Sequence, residues 1–226
     1  MDNFFDLAEP EEKISASNSS LLMPQYPWLD ILNPEQRHAV ETTEGPLLVL
    51  SGAGTGKTKV LTTRLAYILA QHRAQPWECL VVTFTNRAAK EMKTRVYNMI
   101  GEATSSVWMG TFHSICVKIL RNYAELVGLH SNFTILDEDD QKRLLKQICE
   151  QNGIDDKKYP PQAVLDKISL WKDKGKTVEQ FSGADENNVT VHLYKLYQAR
   201  LKELNCVDFG DLILYTLEIL LHHGDI

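Results

Sequence analysis

Two hydrophobic rhythms alternate along the first 130 or so residues. Leu47-Leu48-Val49-Leu50, Leu80-Val81-Val82-Thr83-Phe84 and the stretch from Val107 to Thr111 are short, continuous apolar runs. That is the form of parallel strands buried on both faces. Between and after them apolar residues recur at helical spacing: Leu61, Leu65 and Ile68; Ala89, Met92, Val96 and Met99; Ile115, Ile119, Tyr123 and Leu126. Asn33-Pro34-Glu35-Gln36 supplies a side-chain cap, a proline at the first helical position and a glutamine three residues after the cap, which predicts a helix to about Thr42. Asn86 is expected to cap the helix that follows the second strand. Strands alternating with helices predict an α/β chain with a parallel sheet and right-handed crossovers, and such sheets bind ligands beyond the carboxyl ends of their strands. The segments placed there are Ser51 to Thr58, Phe84 to Asn86 and Thr111 to Ser114.

From about Phe133 the pattern becomes helical, with expected helices near Glu138 to Gln151, Pro161 to Lys174 and Val189 to Leu204, and a last one from Phe209 to about Leu221. This reads as a helical insertion over 133–205, with a return to the first fold over 206–226. The opening residues, 1–30, are acidic and Ser/Asn-rich without a sustained period and read as a mobile tail.

Composition narrows the class without naming a chemistry. The 226 residues, 43% of them apolar, suffice for a core without disulfides or metals. Cys79, Cys116, Cys149 and Cys206 have no paired spacing, which fits reduced thiols rather than a zinc site. No signal, transit or membrane-spanning stretch is readable, so the expected location is the cytoplasm and no membrane partner is expected. Of the net charge of −6, the first thirty residues carry −5, and the remainder has 24 acids against 23 bases. Bulk charge therefore neither supports nor excludes a nucleic-acid partner, which needs only a local basic and aromatic groove.

Ser51-Gly52-Ala53-Gly54-Thr55-Gly56-Lys57-Thr58 lies between a predicted strand and a predicted helix, the context of a phosphate-binding loop. Glycines let the backbone curl so that N–H groups point inward at phosphate oxygens, at the positive end of the following helix. Lys57 then brings charge to the β and γ phosphates, and the Thr58 hydroxyl is a ligand for Mg²⁺. Ser51 stands where the common pattern has glycine, which keeps the turn possible. A ligand-free glycine-rich turn is the bland alternative. Gln36 has two readings: the third residue of a capping box, or an amide that reads the edge of adenine.

Four segments in this order and spacing, Leu32 to Gln36, Ser51 to Thr58, Thr83 to Met92 and Thr111 to Ser114, resemble the superfamily 1A DNA helicases, the UvrD/Rep/PcrA group. Asn132 to Asp137 and Val207 to Ile213 also look like segments of that family. The resemblance implies a P-loop NTPase (RecA-like) fold, with helices on both faces of the sheet and an inserted, mostly helical subdomain 1B, incomplete at its C-terminus. Residues 31–132 and 206–226 are then parts of motor subdomain 1A. It implies ATP and Mg²⁺ as cofactors, with Gln36 on adenine, Ser51, Gly52, Ala53, Gly54, Thr55, Gly56, Lys57 and Thr58 around the triphosphate, and Lys59 beside the nucleotide. It also implies that Phe84, Thr85 and Asn86 line a single-stranded DNA path, with Thr111, Phe112 and His113 beside them.

An aromatic such as Phe84 at a strand's carboxyl end suits that role, because it stacks on any base at about 1–3 kcal/mol; the competing reading is a core side chain. His113 has the competing reading of a satisfied histidine at a strand-to-helix junction. The exposed bases Arg87, Lys90, Lys93 and Arg95 are read either as phosphate contacts or as a solvated helix face. The family's acidic, Mg²⁺-holding strand motif follows the segment resembling Val207 to Ile213, and the sequence reaches Ile226 without it. The 226 residues alone are expected to hydrolyse ATP very poorly or not at all. The function implied is that of an ATP-dependent helicase translocating 3′ to 5′ on single-stranded DNA, with repair or replication proteins as partners. The alternative is a non-catalytic nucleotide-binding or partner-binding module.

Overall fold

The computed structural model describes residues 26–181 and 188–224, so most of the expected tail lies outside the described residues. The chain is of the α/β class and divides into two compact units, Met1–Arg64 and Leu65–Ile226.

In the first unit, Pro27–Leu29 forms a 3-10 turn and α1 spans Pro34–Glu41. Its capping box is reciprocal: Gln36 N donates to Asn33 Oδ1 at 2.8 Å and Asn33 N donates to Gln36 Oε1 at 3.2 Å. Arg64, on α2 (Lys57–Ala70), donates to the carbonyls of Ala39 and Thr42 at the end of α1. Leu47–Leu50 departs from the expected strand. It pairs with no strand among the described residues, and Leu48 and Leu50 are 81% and 84% exposed. An apolar run becomes a strand only when a neighbouring strand satisfies its N–H and C=O groups, which hydrophobicity alone does not supply. The buried stripe of α2 also differs from the expected one. Leu65, Ala66 and Leu69 are buried with Thr62 and Thr63, while Leu61 is exposed. Thr62 is tolerated inside because its hydroxyl donates to Thr58 O at 2.9 Å.

The second unit contains two parallel strand pairs. β1 (Leu80–Thr83) runs beside β2 (Trp108–Thr111) in a register from Leu80 opposite Trp108 to Thr83 opposite Thr111. α3 (Asn86–Ile100) buries Ala89, Met92 and Val96 with Leu65, Leu69, Val81, Val107 and Met109. Its cap is Thr85, not Asn86. Thr85 is extended at φ −122° and accepts from Ala88 N at 3.2 Å, which leaves Asn86 as the first helical residue. α4 (Phe112–Tyr123) buries Ile115, Cys116 and Leu120, whereas Tyr123 and Leu126 of the expected stripe are 37% and 44% exposed. The helix stops at Tyr123, and the tighter 3-10 turn Ala124–Val127 rotates Ala124 and Val127 inward instead.

The chain then passes through β3 (Thr134–Ile135), makes α5 (Glu138–Gln151), α6 (Pro161–Asp173) and α7 (Val189–Glu203), and returns through β4 (Cys206–Val207), which pairs with β3 in parallel. The three helices share a core that includes Leu145, Ile148, Ile168, Tyr194, Tyr197 and Leu201. Asn205, at φ +50°, fastens the return, since its Oδ1 accepts from His130 N at 2.8 Å and its Nδ2 donates to Asn132 Oδ1 at 3.0 Å. α8 (Phe209–His222) lies along α4, with Leu212, Tyr215 and Ile219 in one cluster with Cys116, Leu120 and Phe133.

A charged knot is buried at the start of α8. Lys172 Nζ lies 2.6 Å from Asp208 Oδ2 and 2.7 Å from Asp211 Oδ1, with all three side chains at most 7% exposed. Burial, with Asp208 nearby, pushes the Asp211 carboxyl up to about 6 against the pull of Lys172. A carboxyl raised above its unfolded value binds more protons when folded. Its contribution to stability is therefore full below about pH 4 and is lost as pH rises through about 6. The unfolding free energy of the native chain minus that of Asp211→Asn, from urea titrations, should fall over that window. A flat or rising difference would contradict the assignment.

Candidate functional site

The loop from Ser51 to Thr58 belongs to the first unit and leads directly into α2. Gly54 and Gly56 sit at φ +77° and +88°, backbone conformations that side chains with a Cβ disfavour. At Gly56 a Cβ would also lie 3.1 Å from Gln36 Nε2, so a side chain there would press on that amide. The loop is cross-tied by its own polar groups: Thr55 Oγ1 donates to Gly52 O at 2.8 Å, and Lys57 Nζ donates to Ser51 O at 3.0 Å and Gly52 O at 2.8 Å. The ammonium is thus folded back into the curl of the loop. Ala53 is exposed and Thr58 half-buried on the first turn of α2.

Gln36 uses both ends of its side-chain amide. While Oε1 closes the capping box, Nε2 donates to Thr55 O at 3.0 Å, so one amide ties α1 to the glycine loop. Asn33, Gln36, Ala39, Leu50, Ser51, Thr55, Lys57 and Val60 line a cleft of about 230 Å³. Lys59 does not point into that set. Its Nζ donates to Ile31 O at 2.5 Å.

In the second unit, the register of β1 with β2 places two helix starts side by side. Thr85 caps α3, and Thr111, itself buried, caps α4 by accepting from Ser114 N at 3.2 Å. The positive ends of both helix dipoles therefore emerge at the same strand ends. Phe84 is 89% exposed there, which excludes the core reading, and its ring centroid is 5.6 Å from that of Phe112. His113 is exposed, and its ring meets Phe209 edge-on at 5.8 Å and 76°. Asn86 is exposed at the start of α3, as are Arg87, Lys90 and Lys93 along its outer face, while Arg95 pairs with Glu91.

Phe209 is the member of this row that sequence reasoning missed. The signal that marks it is an aspartate-capped helix start with an aromatic at its first position.

A family model of the UvrD/REP helicase N-terminal domain matches residues 32–226. The chain belongs to the UvrD/REP helicase family. It is 45% identical over 191 residues to the ATP-dependent DNA helicase PcrA of Staphylococcus epidermidis, covering 83% of this chain and 26% of that protein. The PcrA of Bacillus subtilis is 44% identical over 191 residues, with the same shares of each chain, and that of Staphylococcus aureus 43% over 194 residues, with 84% and 27% covered. The chain thus spans about a quarter of the length of these UvrD/REP relatives. Among the described residues no helix is long and apolar enough to cross a membrane, and no cluster of three or more His, Cys, Asp or Glu is suited to hold a metal.

Because Phe84 is 89% exposed, Phe84→Ala should shift the urea unfolding free energy by less than about 0.5 kcal/mol. A loss of about 3 kcal/mol or more, the size of a core phenylalanine deletion, would show that the ring is packed.

Proposed function

We propose that this chain is the leading part of an ATP-dependent DNA helicase, binding ATP with Mg²⁺ at Ser51 to Thr58 and single-stranded DNA along Phe84, Phe112, His113 and Phe209. The observation that carries the reading is an aromatic ring 89% exposed at the carboxyl end of a parallel strand, with three further rings beside it in two contacting pairs. A folded chain seldom leaves such a set in water without a partner. Stacking on exposed rings accepts any base, as a motor that travels along DNA requires. Thr85, Asn86 and Thr111 contribute the two helix starts, whose N–H groups suit the phosphates between stacked bases.

At the nucleotide loop, the glycine conformations and the inward lysine fit a triphosphate. Lys57 exchanges the carbonyls of Ser51 and Gly52 for β and γ phosphate oxygens, which carry more charge. Bound Mg²⁺ supplies further positive charge across those phosphates, and Thr58 is the side chain that would ligate it. Gln36 exchanges its bond to Thr55 O for one to adenine, so that base binding is felt directly by the loop. Lys59 lies beside the nucleotide by resemblance alone. The helices from Glu138 to Glu203, bracketed by β3 and β4, are the inserted subdomain 1B in this reading. The 3′ to 5′ direction, the cytoplasmic setting and partners in repair or replication follow from the family rather than from this geometry. So does the need for an acidic hydrolysis motif beyond these residues.

Two variants test the pair of sites. Lys57→Ala should abolish Mg²⁺–ATP binding in a folded chain, and binding at the native affinity would remove the loop from the site. Phe84→Ala should weaken oligo(dT) binding by about 1–3 kcal/mol while leaving the salt dependence almost unchanged, because stacking releases few counterions. An isotherm identical to that of the native chain would place the DNA elsewhere and favour a nucleotide-binding or partner-binding module.

A further inference from the structure

Phe209 is 51% exposed, yet it is carried by a turn whose other side chains are almost wholly buried. Asp208 is 5% exposed and Asp211 not at all. Each of these carboxylates divides its oxygens between two tasks. Asp208 Oδ1 accepts from Asp211 N at 2.9 Å and Asp211 Oδ2 accepts from Asp208 N at 3.1 Å, which closes a capping box around Phe209 and Gly210. The remaining oxygens face the helical segment. Asp208 Oδ2 accepts from Lys172 Nζ at 2.6 Å and from Tyr197 Oη at 3.2 Å, and Asp211 Oδ1 lies 2.7 Å from Lys172 Nζ and accepts from Gln198 Nε2 at 2.9 Å. One ammonium on α6 therefore joins both ends of the box. The lysine's stem lies across the turn as well, since a Cβ on Gly210 would come within 3.0 Å of Lys172 Cδ.

We propose that Lys172 is a positioning residue for single-strand binding: by bridging Asp208 and Asp211 it fixes the turn that presents Phe209 beside His113. The proposal rests on the reading of the aromatic row as the DNA surface and adds to it that the helical segment sets the geometry of one ring. An apolar filler would hold the turn as stably, because desolvating a lysine and two carboxylates offsets most of their attraction. A bridge with charge-assisted bonds of fixed direction does what an apolar filler does not, which is to define where the exposed ring points. The aromatic rings of Tyr194 and Tyr197, 5.8 and 5.4 Å from the ammonium, close the lysine in from its other side.

The test is a set of mutant cycles on the 226-residue chain, read as oligo(dT) affinity at fixed salt, with circular dichroism and urea midpoints confirming folding. Phe209→Ala should weaken binding roughly 5- to 150-fold, the range for one stacked base. Lys172→Met should weaken it by no more than that, and Lys172→Met with Phe209→Ala should bind no worse than Phe209→Ala alone. In contrast, Lys172→Met and Phe84→Ala should multiply in their effects. Should Lys172→Met fail to fold, the neutral combination Lys172→Met, Asp208→Asn and Asp211→Asn takes its place, because asparagine still caps a helix while the ammonium bridge is gone. Native affinity in the lysine variant, or an effect that multiplies with Phe209→Ala, overturns the positioning role while the DNA surface stands. Native affinity in both Phe84→Ala and Phe209→Ala overturns the DNA surface, and the positioning role falls with it.

Discussion

The parallel register of β1 and β2 sets Thr83 beside Thr111, and the surface chemistry of the second unit follows from that alignment. With the strands in step, the two helices that leave them begin side by side, each capped by the threonine that starts its first turn. The residues just past the strands, Phe84 and Phe112, are then brought ring to ring, and α8 adds Phe209 through its packing along α4. A slip of one residue in such a pair reverses the face of every side chain on the shifted strand, which would take the buried Val81 out of its cluster and put the two helix starts out of line.

The helical segment serves this surface at a distance. It leaves and re-enters the fold through adjacent strands, so its only covalent ties lie close together, and its orientation depends on what its helices grip. The grip includes a buried lysine between two buried carboxylates, with tyrosine and glutamine donors meeting the same oxygens. Among the described residues the Oε1 of Gln198 is a buried oxygen of this network left without a partner. Such arrangements contribute little net stability but are specific in direction.

Much of this was legible in the sequence wherever a local rule decides the outcome. The capping box at Asn33 and Gln36, the helix from Glu138 to Gln151 and the glycine loop before Lys57 all depend on near neighbours. What failed depends on distant ones. Leu47 to Leu50 has the composition of a strand, but a strand is a relation between two segments, and the described residues provide no second one. Asn86 is a good capping residue, yet Thr85 holds the extended backbone that a cap needs, and backbone geometry outranks residue preference. At the candidate site, the glycine loop and Phe84 were readable from residue type and position. The Lys172 knot was not, because it joins residues 36 positions apart that no short motif connects.

The central claim is that single-stranded DNA lies across the starts of α3, α4 and α8. Hydrogen–deuterium exchange of the chain with and without saturating oligo(dT) tests it most directly. Slower exchange confined to the first turns of those helices, around residues 84–88, 111–115 and 208–212, is the expected result. Unchanged exchange at all three while a complex demonstrably forms would contradict it and move the DNA to another face of the protein.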